Sequence, residues 1–195
     1  MRLFVASLLP PHDRAFYDMA VEGLVARARG IVRAIPRDSA HVTLAFLGDL
    51  PDPDIDTVTT AVARAFQGRL TIDARLGAPA LLRTRRLPRL VMAPLAAGAA
   101  PVAGLSGAIV AALRQLPPFA ALPDPKAAHV TLARVRPRAT PRDGDHLEAA
   151  LREMDVRPRD LRLMRVQLVA STLTPDGPQY RTLEAWSLHD TSRSP

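Results

Sequence analysis

Six residues, Ala-His-Val-Thr-Leu-Ala, stand at 40–45 and return unchanged at 128–133. Each copy has the length and β-branched, apolar character of a buried strand. The first follows Pro36 and stops at Gly48; the second lies between Asp124-Pro125 and the run Pro137-Arg-Ala-Thr-Pro141. His41 and His129 are 88 positions apart, too far for a local pair and too long for a short solenoid period. A repeated strand so placed constrains the fold to two similar halves, each contributing one copy.

The rest of the chain agrees. Arg2–Leu8 reads as a strand, and apolar residues at helical spacing predict a helix from Asp13 to about Ala28. Residues 52–66 predict a helix with acidic residues in its first turn, where the helix dipole favours them. Strands follow at 69–78 and 88–95. The Ala-rich span from Pro101 to about Leu116 predicts a helix ended by Pro117-Pro118. A fourth helix at about 142–154 precedes two closing strands joined by Thr174-Pro-Asp-Gly177. The order β-α-β-α-β-β-α-β-α-β-β predicts an α+β fold: two pseudo-symmetric lobes of antiparallel sheet with outer helices, meeting at a central cleft. The chain reads as a single two-lobed domain over 1–190 with a frayed tail at 191–195.

Side chains alternate faces along a strand. His41 and Thr43 therefore share one face, and Val42 and Leu44 the other; His129 and Thr131 stand likewise against Val130 and Leu132. One face is aliphatic core. The other presents an imidazole and a hydroxyl about 7 Å apart. A single His-x-Thr on a strand is commonplace, but two identical copies in otherwise diverged halves point to chemistry. With intrinsic pKa values near 6.5, two imidazoles can divide general acid and general base between them. The hydroxyls donate hydrogen bonds to an oxyanion held between them. In-line phosphoryl transfer suits such an arrangement, and it needs no cofactor. No third histidine or carboxylate stands at ligand spacing around either copy, so no metal is expected.

Composition narrows the partner. The formal charge is +7, and Lys126 is the lone lysine; the excess is arginine, whose guanidinium forks onto phosphate. There is no cysteine, which excludes disulfides and thiolate catalysis. No segment is apolar for the ~18 residues of a membrane span. The opening apolar stretch is too soon interrupted to read as a secretory leader. A cytoplasmic, monomeric protein is expected.

The double motif resembles that of the two-histidine (2H) phosphoesterase superfamily, most closely the RNA 2′,3′-cyclic phosphodiesterases, also called 2′-5′ RNA ligases. The opening strand ending in Leu-Pro, the Phe46-Leu-Gly48 that trails the first motif, and the closing hairpin with Ser171, Gly177-Pro178 and Tyr180 are similar to that family's pattern. The resemblance implies an enzyme that hydrolyses a terminal 2′,3′-cyclic phosphate on RNA or nucleotide ends to a 2′-phosphate. It implies that His41 is the proton donor and His129 the proton acceptor, that Thr43 and Thr131 bind phosphate, and that Arg134 contacts substrate. Regular alternation places Arg134 with Val130 and Leu132, on the core face; it reaches the cleft only if the strand bulges or ends near Ala133. Phe46 occupies the matching place after His41, so one side of the site would be charged and the other apolar. Ala34 stands where the family often carries an aromatic residue. Alternatives are the reverse reaction, 2′-5′ RNA ligation, a phosphodiesterase of small cyclic nucleotides, and an RNA-end-binding protein without turnover.

Other residues read as structural. His12, His146 and His189 suggest surface or capping roles, and Gly104 and Gly107 helix packing. Tyr180 and Trp186 are expected to pack in the closing hairpin. The run Arg83-Thr-Arg-Arg86 with Arg89 reads as a solvated loop, with an RNA-backbone landing patch as the alternative.

Overall fold

The computed structural model describes residues 1–10, 14–28, 30–50, 55–174 and 177–190. Its strands are β1 (Arg2–Leu8), β2 (Val32–Ala34), β3 (His41–Asp49), β4 (Ile72–Leu76), β5 (Ala80–Thr84), β6 (Leu87–Ala97), β7 (His129–Val135), β8 (Arg159–Leu163), β9 (Arg165–Thr174) and β10 (Gly177–Ser187). Its helices are α1 (Arg14–Arg27), α2 (Ile55–Phe66), α3 (Ala99–Leu113) and α4 (Pro141–Arg152). The strands curl into an antiparallel half-barrel in the order β10-β9-β1-β3-β7-β6-β4-β8, with β2 beside β7 and β5 beside β6. The α+β expectation holds.

The repeated phrase supplies the central strands. Val42, Leu44, Val130 and Leu132 are all buried beneath a helical layer: α3 packs on β3 and on α2, α1 on β2 and β7, and α4 on β5 and β6. The two halves of the sheet join where Val42 pairs with Val130. The opposite face of these two strands carries the motif histidines and threonines.

Three strands were not legible in the sequence. β2 has only three residues, and β8 (Arg-Asp-Leu-Arg-Leu) carries two apolar side chains among three charges. The third, β5, corrects the loop reading of 83–86. Arg83 and Thr84 belong to the strand, and Arg85 and Arg86 form a two-residue turn with φ of 49° and 67°, a conformation in which Asn-Gly is the ordinary choice. Arg83 turns back onto α4, donating to Glu148 and Asp145 at 2.8 Å each. Helix α4 itself starts on a capping box: Thr140 accepts from the Asp143 backbone at 3.3 Å, and the Asp143 carboxylate accepts from the Thr140 backbone at 2.7 Å. Gly104 and Gly107 do not serve close packing, since a methyl built on either meets nothing within 4 Å. His12, the 191–195 tail and the Pro175-Asp176 turn lie outside the described residues.

Candidate active site

Because β3 and β7 run antiparallel through the pair Val42–Val130, the register one step on sets His41 across from Thr131 and Thr43 across from His129. Thr43 and His129 line one cavity, and His129 is near enough to act electrostatically on His41, so the four side chains gather on the face away from the helices. Val42 and Val130 lie beneath it, each fully buried.

Both imidazoles are fixed by the same local device. His41 Nδ1 lies 2.7 Å from the Ser39 carbonyl, and His129 Nδ1 lies 2.9 Å from the Ala127 carbonyl, in each case two residues back along the chain. A carbonyl can only accept, so Nδ1 bears the proton in both rings. That leaves Nε2 free to take or give a proton in the cleft.

Arg134 reaches the same face because β7 bulges. Met92 pairs with Thr131 and the next residue back, Val91, with Ala133, so Leu132 is the extra residue. Leu132 and Ala133 are both fully buried. The alternation is inverted beyond them, and Arg134 is exposed. The first copy does the same. Val5 pairs with Ala45 and Ala6 with Thr43, Leu44 is extra, and Phe46 emerges 52% exposed. Thus Phe46 and Arg134 share the site face, beyond opposite ends of the histidine–threonine cluster. The Leu132 bulge is anchored: its carbonyl accepts from the Ile35 backbone at 3.0 Å and lies 3.2 Å from the hydroxyl of buried Tyr17, which also reaches the Ile35 carbonyl.

His41 has aromatic walls. The Phe4 ring lies 5.0 Å and the Tyr180 ring 5.5 Å from the imidazole, and Phe4 and Tyr180 meet edge-on at 5.1 Å. Burial pulls the His41 pKa below its ordinary value, opposed by the hydrogen bond to Ser39 and assisted by the charges of His129 and Arg134. Burial also raises the Tyr180 phenol, with Arg134 pulling the other way. Tyr180 thus does more than pack in the hairpin. The signal for it was parity: Phe4 and Ala6 pair with Phe46 and Thr43, which puts them on the cleft face, where Val169 and Tyr180 complete a small apolar cluster. Trp186 packs edge-on against Phe66 at 5.5 Å, away from the cleft.

Beyond His129 a cavity of about 260 Å³ is lined by Thr43, Phe46, Leu122, Pro125, Lys126 and His129, among others. A larger one, about 580 Å³, lies around Leu8, Thr71, Arg162 and Gln167 and touches neither imidazole; volume alone would mislocate the chemistry. His146 Nε2 donates to the Arg27 carbonyl at 3.2 Å and ties α4 to the end of α1. His189 bridges to Leu70 through its backbone. Among the described residues no three His, Asp or Glu side chains are grouped to hold a metal ion. No described helix is long and apolar enough to cross a membrane.

A family model of the 2′-5′ RNA ligase superfamily matches residues 16–173. The chain belongs to that superfamily. No curated protein matches it. Among solved structures, TT0787 of Thermus thermophilus is 27% identical, with a TM-score of 0.76 over 98% of this chain and 100% of that one. LigT of E. coli, solved with ATP, is 19% identical, with a TM-score of 0.65 over 96% of each chain. Usb1 of Kluyveromyces marxianus, solved with uridine monophosphate, is 13% identical, with a TM-score of 0.53 over 93% of this chain and 96% of that one; these last two likenesses are of fold. Membership makes the protein a 2H phosphoesterase and an enzyme of phosphodiester chemistry.

Proposed function

We propose that the protein is an RNA 2′,3′-cyclic phosphodiesterase that opens a terminal cyclic phosphate to a 2′-phosphate. The observation that carries this reading is the register of Val42 with Val130, which gathers two identically tethered imidazoles and two hydroxyls on one face. In this reading the Thr43 and Thr131 hydroxyls and the Arg134 guanidinium hold the non-bridging oxygens of the ring phosphate. His129 Nε2, neutral, takes a proton from water as that water attacks phosphorus. The bond from phosphorus to the 3′ oxygen breaks, and His41 Nε2–H gives its proton to that oxygen. The cycle leaves a 2′-phosphate and a 3′-hydroxyl; proton exchange with solvent resets both rings. Nucleotide and phosphate ligands suit the fold, since E. coli LigT has been solved with ATP, NADP+, 3′-AMP and phosphate.

Burial above all, with the charge of Arg134 adding to it, disfavours the His41 imidazolium in the free protein. Its role as acid therefore depends on substrate: a bound phosphate anion beside the ring stabilises the imidazolium, so that the proton loads as substrate arrives. The test is hydrolysis of an oligonucleotide ending in a 2′,3′-cyclic phosphate, with the product phosphate located by mass spectrometry. His41→Ala and His129→Ala should each lower kcat by at least ~10²-fold with circular dichroism unchanged; wild-type turnover in either variant would overturn the division of labour. Tight binding without multiple turnover by the wild type would instead favour an end-binding protein.

A further inference from the structure

Strand β2 continues the line of β3 along the same edge of β7, and its register sets Arg33 directly opposite Arg134. Opposed residues share a face, so Arg33 stands on the cleft side of the sheet, next to the arginine that the Leu132 bulge turns outward. Ala34, by contrast, pairs with buried Ala133 and points to the helical side. An aromatic residue at 34 would pack there and could not stack on a base.

Two like charges directly opposed across a sheet repel, and chains ordinarily relieve this with a carboxylate. Several arginines of this chain are met by carboxylates: Arg2 by Asp49, Arg37 by Asp18, Arg75 by Asp160, Arg114 by Asp124. Among the described residues neither Arg33 nor Arg134 has an ion pair or a side-chain hydrogen bond, and both are exposed. The backbones that carry the pair are nevertheless held in register. The Leu132 carbonyl accepts from Ile35 N, and the Ile31 carbonyl accepts from Arg136 N at 2.9 Å, clamping β2 to β7 on both sides of the arginines. Two exposed guanidinium-bearing residues side by side on the cleft face offer an anion forked donors from both strands.

From these contacts we infer that Arg33 and Arg134 bracket a second phosphate, the phosphodiester on the 5′ side of the terminal nucleotide. Arg134 lies about 7 Å along β7 from Thr131 once the bulge is allowed for, within reach of both phosphates, whereas Arg33 lies farther out and meets the upstream one. The substrate class is therefore an oligonucleotide end, preferred over a free nucleoside cyclic phosphate. This rests on the reading of the histidine pair given above, and the test separates the two.

Hydrolysis is compared for a nucleoside 2′,3′-cyclic phosphate and for a dinucleotide carrying the same end plus one upstream phosphodiester. The wild type should favour the dinucleotide in kcat/KM, and Arg33→Ala should lower that preference about tenfold, with Arg33→Lys restoring part of it. The slope of log KM against log salt for the dinucleotide should fall by about 0.7 in Arg33→Ala. In parallel, calorimetry measures the affinity of the corresponding 2′-phosphate products, which needs no turnover. A wild type that binds the dinucleotide product more tightly, with Arg33→Ala losing the difference, supports the second site even if hydrolysis fails and the catalytic reading falls with it. Equal affinity of the wild type for both products, or a preference that survives Arg33→Ala, overturns the second site.

Discussion

Tyr17→Phe removes one oxygen far from the cleft surface, yet it should change catalysis through Arg134. The Tyr17 ring is buried, and its hydroxyl lies between the carbonyls of Ile35 and Leu132. Burial raises its pKa far above the ordinary phenol value, so it remains a donor throughout the working range. Without it the bulge carbonyl keeps only the Ile35 N–H, and the Ile35 carbonyl loses its hydroxyl. Deleting a buried donor costs about 2 kcal/mol, which for a chain of this size lowers Tm by roughly 4–8 °C. If Arg134 holds the phosphate as proposed, Arg134→Ala should lose a charge-assisted hydrogen bond of about 1.5–3 kcal/mol, or ~10- to 150-fold in kcat/KM. Loosening the bulge should forfeit part of this, about 3- to 10-fold, in Tyr17→Phe. The decisive variant is the double one. If Tyr17 acts by aiming Arg134, kcat/KM of Tyr17→Phe/Arg134→Ala equals that of Arg134→Ala alone, while the Tm loss persists. Kinetic losses that multiply in the double variant would show that the hydroxyl does not work through the arginine.

Two further outcomes follow from other parts of the molecule. Because the folded state holds the His41 pKa below its ordinary value, the unfolded chain takes up that proton first as pH falls. Its contribution to stability is therefore full above about pH 6.5 and is lost as pH drops through the folded value; thermal melts of His41→Asn should lose this portion of the pH dependence, and an unchanged profile would assign it elsewhere. At the start of α3, Gly98 has φ of 76°, and a methyl there would lie 2.6 Å from the Asp73 carbonyl oxygen and 2.7 Å from Ala74 Cα. Gly98→Ala should cost about 3 kcal/mol in urea unfolding with the m-value unchanged, and a loss under about 1 kcal/mol would mean that the β4–α3 junction yields easily.

How much of this was legible beforehand depended on where each residue's role was decided. That His41, Thr43, His129 and Thr131 share one face was readable because two-residue alternation holds within each four-residue motif, and because the identical copies required equivalent settings. Strands β5 and β8 were hidden by charged residues whose partners lie 62 to 85 residues away in sequence, Arg83 of β5 on Asp145 and Asp160 of β8 on Arg75. Local polarity there reflects pairing across the fold, not solvent. Phe4 and Tyr180 were hidden for a related reason: their contact with His41 is made only after β10, β9 and β1 have assembled beside β3.

Arg134 was the hardest case, and the phrase that begins with the histidine also explains it. A regular strand would have carried this arginine to the core, at a desolvation cost no helix above it could offset. One unpaired residue inverts every side chain that follows. Both copies place that residue at the leucine, and both follow it with alanine, so that Leu44-Ala45 and Leu132-Ala133 are consecutive inward residues. Two adjacent inward positions are the sequence signature of a bulge, and an alanine is small enough to fit beneath the kink. The phrase is therefore six residues long rather than four because it encodes the site and also the inversion that ends it. Each copy delivers one further side chain to the cleft, identical in position and opposite in character. Phe46 and Arg134 consequently give a nearly two-fold cluster an apolar end and a cationic end.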